Sequence, residues 1–277
     1  MQQLFANETT LIRHIIRELN ARSGQKNIYQ DQSVDPAAAA AGVLLLLGPR
    51  INKKNNRTEP CLILNKRSQK VRQPGDLCFP GGRVAPGLDS SLAKLLSLPV
   101  TSLGRWKYWP QWKYAHPPTA RFLALFWATG LRESFEEMRL NPFGVRFLGP
   151  LPPQSLVMFQ RIIYPIVAWV QRQKRFFPNW EVDKVVYVPL RDFLNPNNYR
   201  RYRLPMQTLA NERSSNLGRD YPCFRFQTDS DTEILWGATY RITTLFIEYV
   251  FGFKPPIFET LPIIEGRLDQ NYLTGHK

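Results

Sequence analysis

Apolar residues at Leu11, Ile15 and Leu19 share one stripe at helical spacing, with Asn7 placed to cap the first turn, and predict a helix over about residues 8–22 that Gly24 would end. The pattern then changes. Val43 to Leu47 and Cys61 to Asn65 are apolar runs of strand length, which marks buried strands joined by a basic loop, and Phe79 with Arg83-Val84 extends the same sheet. Thr119 stands where it could cap a long helix carrying Phe122, Leu125 and Phe126. Val145 to Leu148, Ile162 to Val170 and Val182 to Val188 predict further strands, and Ile234 to Phe251 a closing helix. Strands and helices are interleaved, which favours α/β or α+β packing over a bundle. No linker announces a second domain, so residues 1–277 are expected to form one domain, with helix 8–22 as an accessory.

Composition narrows the picture only a little. A 43% hydrophobic content can bury a sizeable core, and 37 Lys plus Arg against 22 Asp plus Glu leave a net charge of +15. That excess concentrates polyanions such as nucleotides, nucleic acid or anionic lipid without choosing among them. The basic residues are scattered (Lys53-Lys54, Arg172 to Arg175, Arg200 to Arg203), which reads as a solvated surface ahead of a nucleic-acid groove. Cys61, Cys78 and Cys223 sit among apolar neighbours with no Cys-x-x-Cys spacing and read as small buried hydrophobes, with neither zinc nor a disulfide framework. Met1 to Thr10 has no secretory pattern, and the longest apolar run, Ala37 to Leu47, is well short of the ~20 residues that cross a bilayer. A cytoplasmic enzyme is therefore expected, and a homodimer is left open.

The chemistry concentrates in Arg132-Glu133-Ser134-Phe135-Glu136-Glu137. At roughly 3.6 residues per turn, Glu133, Glu136 and Glu137 stand at i, i+3 and i+4 and project to neighbouring points of one helix face. Three like charges so placed call for a counter-charge, and a hard divalent cation suits carboxylate oxygens. Taken alone, the cluster reads more simply as a solvated acidic face. Upstream, Cys78-Phe79-Pro80-Gly81-Gly82-Arg83-Val84 reads as a strand interrupted by a Pro-Gly-Gly turn, where backbone N–H groups could meet a phosphate oxygen; the bland alternative is an ordinary hairpin turn. Arg67 and Arg72 are candidate partners for substrate phosphates because guanidinium forks match phosphate geometry, though either could be a surface arginine.

The order Gly81-Gly82, an acid, then Arg132-Glu133-x-x-Glu136-Glu137 resembles the Nudix hydrolase box. Leu62-Ile63-Leu64-Asn65-Lys66-Arg67-Ser68-Gln69-Lys70-Val71-Arg72-Gln73-Pro74-Gly75, running on into Phe79-Pro80-Gly81-Gly82, is similar to the signature of the coenzyme A pyrophosphatase branch, and Leu235 to Arg241 is similar to its Trp-Gly-x-Thr helix start. The resemblance implies an α-β-α sandwich with a mixed β-sheet. It also implies cleavage of the pyrophosphate of coenzyme A or its thioesters to 3′,5′-ADP and a phosphopantetheine. Arg132, Glu133, Glu136 and Glu137 would be the catalytic residues, the three glutamates would hold Mg2+ or Mn2+, and Arg67, Arg72, Gly81 and Gly82 would meet substrate. Glu181 is a candidate base, with an exposed strand-edge glutamate as the equal alternative.

Three departures stand out. Arg139 occupies the position of the family's glycine after the acidic pair, so the helix exit is expected to differ; the acid after Gly-Gly is represented only by Asp89, displaced by one position; and roughly Ser90 to Pro118 is inserted before the catalytic helix. The insertion alternates aromatics and cations from Arg105 to Tyr114, a pattern that could stack on bases but fits better as packing onto the body. A Nudix scaffold that binds nucleotide or RNA with little catalysis is the second hypothesis. His14, His116 and His276 lie apart from any Ser or Cys elbow, and no P-loop is visible, which disfavours other hydrolytic chemistries.

Overall fold

The computed structural model describes residues 2–23, 40–52, 56–156, 161–204, 219–228, 231–266 and Tyr272. Gly24, Lys53-Lys54, His276 and the first residues of the alanine run lie outside them.

The central element is strand β1 (Ala40–Asn52), which pairs antiparallel with β2 (Arg57–Arg67) and parallel with β7 (Arg161–Val170). Short strands β3 (Leu77–Cys78) and β4 (Gly81–Arg83) pair with β2 and β1, while β5 (Val145–Pro150) and β6 (Gln154–Leu156) pair with β7, and β8 (Val182–Pro189) with β2. This makes a mixed eight-stranded sheet. Its apolar run is explained by burial on both faces: Val43, Leu45 and Leu47 enter one core, and Leu44 and Leu46 the other.

On the first face lie helix α2 (Glu8–Ser23), preceded by a single turn α1 (Gln2–Phe5), and the closing helix described below. Asn7 Oδ1 accepts from Thr10 N–H at 2.9 Å, the cap read from the sequence. Leu11, Ile15 and Leu19 are wholly buried, so this helix is part of the main core.

The second face is covered by the insertion and the long helix. Helices α3 (Pro86–Leu96), α4 (Trp109–Ala115) and α5 (Pro117–Met138) follow in order, and Trp106, Trp109 and Trp112 are each 4–5% exposed. Trp106 meets Phe147 edge-on at 4.9 Å and Trp112 at 5.6 Å. Packing thus accounts for these rings, and none of the three is free to stack on a base. Thr119 is not the cap of α5. That helix opens two residues earlier on Pro117-Pro118, which suit a first turn whose N–H groups have no intrahelical partner, and Thr119 lies buried inside the turn.

The C-terminal third departs most from the sequence reading. Strands β9 (Tyr199–Leu204), β10 (Arg219–Gln227), β11 (Thr232–Trp236) and β12 (Ile263–Glu265) form a second sheet, and helix α6 (Gly237–Phe251) starts only at Gly237. Ile234 to Trp236 belong to a strand because Glu233 and Leu235 point inward while their neighbours do not, and Gly237, at φ 65°, breaks the extended run before the helix.

Candidate active site

The last turns of α5 carry the acidic cluster, and Arg132 organises it. Arg132 Nε donates to Asp89 Oδ1 at 2.7 Å, Nη2 donates to the Arg83 carbonyl at 2.9 Å and lies 3.1 Å from Glu133 Oε1, and Nη1 reaches both Glu136 oxygens at 3.3 Å. Asp89 has no exposed surface and also accepts from Ala85 N–H at 2.7 Å and Thr129 Oγ1 at 2.8 Å. Burial works against its charge, but the bonds from Arg132, Ala85 and Thr129 together outweigh it and leave its pKa lowered. The same bond to Asp89 raises the Arg132 pKa further, so the pair is ionised throughout the physiological range. Arg132 is therefore fixed from behind, on α3, and presents its remaining donors to two of the three glutamates.

Glu137 is held differently. Its Oε2 accepts from Asn65 Nδ2 at 2.8 Å, across from the end of β2. Burial first, then the charges of Glu133 and Glu181, push its pKa up to about 8, against smaller opposing effects of Asn65 and Arg67. Glu133 is likewise raised by burial, with Arg132 opposing. Glu136 is the outlier, with half of its side chain in solvent and its carboxylate turned onto Arg132.

Gly82 explains how Glu133 comes so close to the sheet. A Cβ at that position would lie inside van der Waals contact of the Glu133 carboxyl, and one on Gly81, at φ 143°, would strike the Gly42 carbonyl and Val43 Cα. Both residues are strand, paired with Gly42 and Val43 of β1, where a turn was expected. The glycines thus have a reason to be there that needs no ligand.

Arg67 faces the cluster: its Nε donates to the Arg72 carbonyl at 2.6 Å and its charge acts on Glu137, Cys78 and Asp76. The Arg72 side chain is exposed and lies instead within the field of Arg161, as does Arg83; burial and these two like charges lower the Arg161 pKa. The sequence reading placed Arg83 in a strand without a site role and did not single out Arg161. Two further site residues, Asn65 and Asp89, were read only as family matches, and their partners lie 72 and 43 residues away in the chain. The clue to Asn65 was a polar side chain ending an apolar strand.

The helix exit is also instructive. Arg139 takes the left-handed C-cap conformation itself, at φ 55°, with its N–H on the Phe135 carbonyl at 2.9 Å and its guanidinium 5.1 Å from the Phe135 ring. The turn takes the left-handed conformation that glycine favours, with a side chain in glycine's place.

Cys61, Cys78 and Cys223 are free thiols, each pushed by burial up to about 12 and so protonated. No helix among the described residues is long and apolar enough to cross a membrane.

Among the described residues no three His, Cys, Asp or Glu side chains already converge on one point, since Arg132 engages Glu133 and Glu136. The donor chemistry nonetheless fits a hard divalent cation. The donors are all oxygens, Glu137 is crowded by Glu133 and Glu181, and Asn65 Oδ1 beside it is buried with no hydrogen-bond partner.

No family model matches the chain. It is 26% identical over 191 residues to the peroxisomal coenzyme A diphosphatase NUDT7 of Mus musculus, covering 66% of this chain and 61% of that protein, so the match spans less than two thirds of the relative. It is 28% identical over 186 residues to an uncharacterized Nudix hydrolase, NudL, of Pectobacterium atrosepticum, covering 66% and 71%. Solved structures overlay only in part: the NUDIX domain of Shewanella oneidensis NrtR with ADP ribose at 15% identity, 63% of this chain, 85% of that chain and a TM-score of 0.35, a value too low to bear on the fold.

Proposed function

We propose that this chain is a Nudix hydrolase that cleaves the pyrophosphate linkage of coenzyme A or a coenzyme A thioester, releasing 3′,5′-ADP and a phosphopantetheine, a reading supported by its similarity to the coenzyme A diphosphatase NUDT7 and to NudL. The observation that carries the reading is the Asp89–Arg132 pair holding Glu133 and Glu136 beside the buried Glu137. A solvated acidic face has no need of an arginine anchored by a buried aspartate that three groups hold in place.

A diphosphate ester resists attack because its own oxygens repel hydroxide. Glu133, Glu136 and Glu137, with Asn65 Oδ1, would hold Mg2+ or Mn2+, which when bound neutralises that charge and makes a coordinated water more acidic. Arg132 acts as a positioning residue, orienting two carboxylates through charge-assisted bonds. Glu181, close enough to raise the Glu137 pKa, is the proposed base for the attacking water. Arg67, at the edge of the cluster, would meet the bridging phosphates. Arg72, Arg83 and Arg161 share one field and would bind the substrate's remaining phosphate, a role that suits guanidinium groups. The reaction is placed in a soluble compartment, the cytoplasm, on the expectation drawn from the sequence.

The test is incubation of the full chain with coenzyme A and Mg2+, with products read by mass. The expected outcome is 3′,5′-ADP from the wild type and at least a hundredfold less from Glu133→Gln, with the variant still folded. Equal product from both would overturn the assignment.

A further inference from the structure

Behind the catalytic helix lies a cavity of about 1370 Å³, bounded by α2, α3, the inserted segment and the start of β5. It exceeds the ~300–1,000 Å³ usual for small-molecule sites. From α5 it takes Trp127, Ala128, Leu131, Arg132 and Phe135. At about 100° per residue all of these but Arg132 lie on average roughly 150° around the helix from Glu133 and Glu137, so the cavity lies behind the carboxylate cluster and borders it through Arg132.

Its charge is one-sided. Two lining cations, Arg17 and Arg132, are engaged by Glu18 and by Asp89, Glu133 and Glu136; the other four, Arg13, Arg105, Lys107 and Arg146, are exposed, and no Asp or Glu is among the described lining residues. None of those four makes an ion pair with a described residue; Lys107 lies 5.4 Å from the Tyr108 ring. Beneath this rim the wall is apolar, with Leu92, Leu96, Leu131 and Phe135 contributing. Trp106 and Trp127 also line it; their indole nitrogens are closed off from the surface and have no acceptor among the described residues, so their N–H signals can report on a ligand seated against the rings.

A greasy wall and a cationic rim match one kind of small molecule. We propose that this cavity is a second binding site, built by the insertion and the N-terminal helix, for an amphipathic anion: a fatty carboxylate with its chain along Leu92, Leu96 and Leu131 and its head group held by Arg13, Arg105 and Arg146. Exposed cations with no ion pair among the described residues attract such a head group over distance, and the apolar wall disfavours a purely hydrophilic anion such as inorganic phosphate.

The site is tested on the full chain, without metal or nucleotide, so failure here is distinct from failure of the hydrolase assignment. Dodecanoate, dodecanol and inorganic phosphate are titrated by calorimetry, and indole N–H resonances are followed by NMR, with Trp106→Phe and Trp127→Phe assigning the two signals. Dodecanoate is expected to bind at least tenfold more tightly than dodecanol, with phosphate inert, and to shift both indole signals. The exposed double variant Arg105→Gln with Arg146→Gln should keep the fold and lose at least tenfold in dodecanoate affinity while its dodecanol affinity stays the same. No binding, equal affinity for dodecanoate and dodecanol, unmoved indole signals, or an unaffected double variant would each overturn the proposal.

Discussion

Replacing Glu137 with Gln should make the metal-free protein more stable at neutral pH. In the folded chain burial and the charges of Glu133 and Glu181 raise this carboxyl from its ordinary 4.5 to about 8. Below pH 4.5 it is protonated in both folded and unfolded chains and contributes nothing. As pH rises from 4.5 towards 8, the unfolded chain sheds the proton and the folded chain keeps it, so the unfolded state binds fewer protons and stability falls. Each unit of difference is worth about 1.4 kcal/mol, so the full penalty at pH 8 and above is of the order of a few kcal/mol. Gln cannot ionise, is nearly isosteric, and its amide oxygen can still accept from Asn65 Nδ2. Urea unfolding in the presence of a chelator, repeated from pH 4.5 to 8.5, should show the two proteins alike at the acid end and the variant progressively ahead toward pH 8. Saturating Mg2+ should narrow the gap, because a ligand at 100 times its Kd stabilises the folded state by about 2.7 kcal/mol and the wild type should bind it better. A variant no more stable at pH 8 than at pH 4.5, relative to wild type, would refute the claim that Glu137 is buried against like charge.

Other substitutions separate structural from chemical roles. Asp89→Asn leaves Arg132 without its buried counter-charge and should cost about 3–5 kcal/mol in thermal unfolding, with activity falling as well. Gly82→Ala should fold, because only the mobile end of Glu133 is displaced, yet lose most activity; Gly81→Ala meets backbone and should fail to accumulate as folded protein. Arg139→Gly should raise stability by about 1 kcal/mol, since a left-handed residue with a side chain is strained by about 1–2 kcal/mol, and a calorimetric melt would read the gain.

The main sheet was legible because the runs at β1, β2 and β7 are buried on both faces, which leaves a continuous apolar signature. The second sheet was not. Tyr199-Arg200-Arg201-Tyr202-Arg203-Leu204 alternates apolar residues with arginines that form ion pairs with Asp220 and Glu265, and those partners are supplied only by folding. Ile234-Leu235-Trp236 was drawn into the following helix because an apolar run that short suits either element. In the site, the glutamates and Arg132 were readable because helical spacing alone brings them together. Asn65 and Asp89 reach that helix from β2 and α3, and the inserted Ser90 to Pro118 offered no spacing rule to connect them. The aromatic insertion read correctly as packing in its tryptophans, while the cavity it builds against α2 depends on two segments about 80 residues apart in the chain, a distance no local pattern spans.

The most direct measurement is the electron paramagnetic resonance spectrum of Mn2+ titrated into the full chain in the presence of coenzyme A at low temperature. Bound manganese is expected in the wild type, with affinity lowered at least tenfold in Glu133→Gln and in Glu137→Gln. Manganese held equally well by all three proteins, or by none, would contradict the assignment of these carboxylates to a divalent cation.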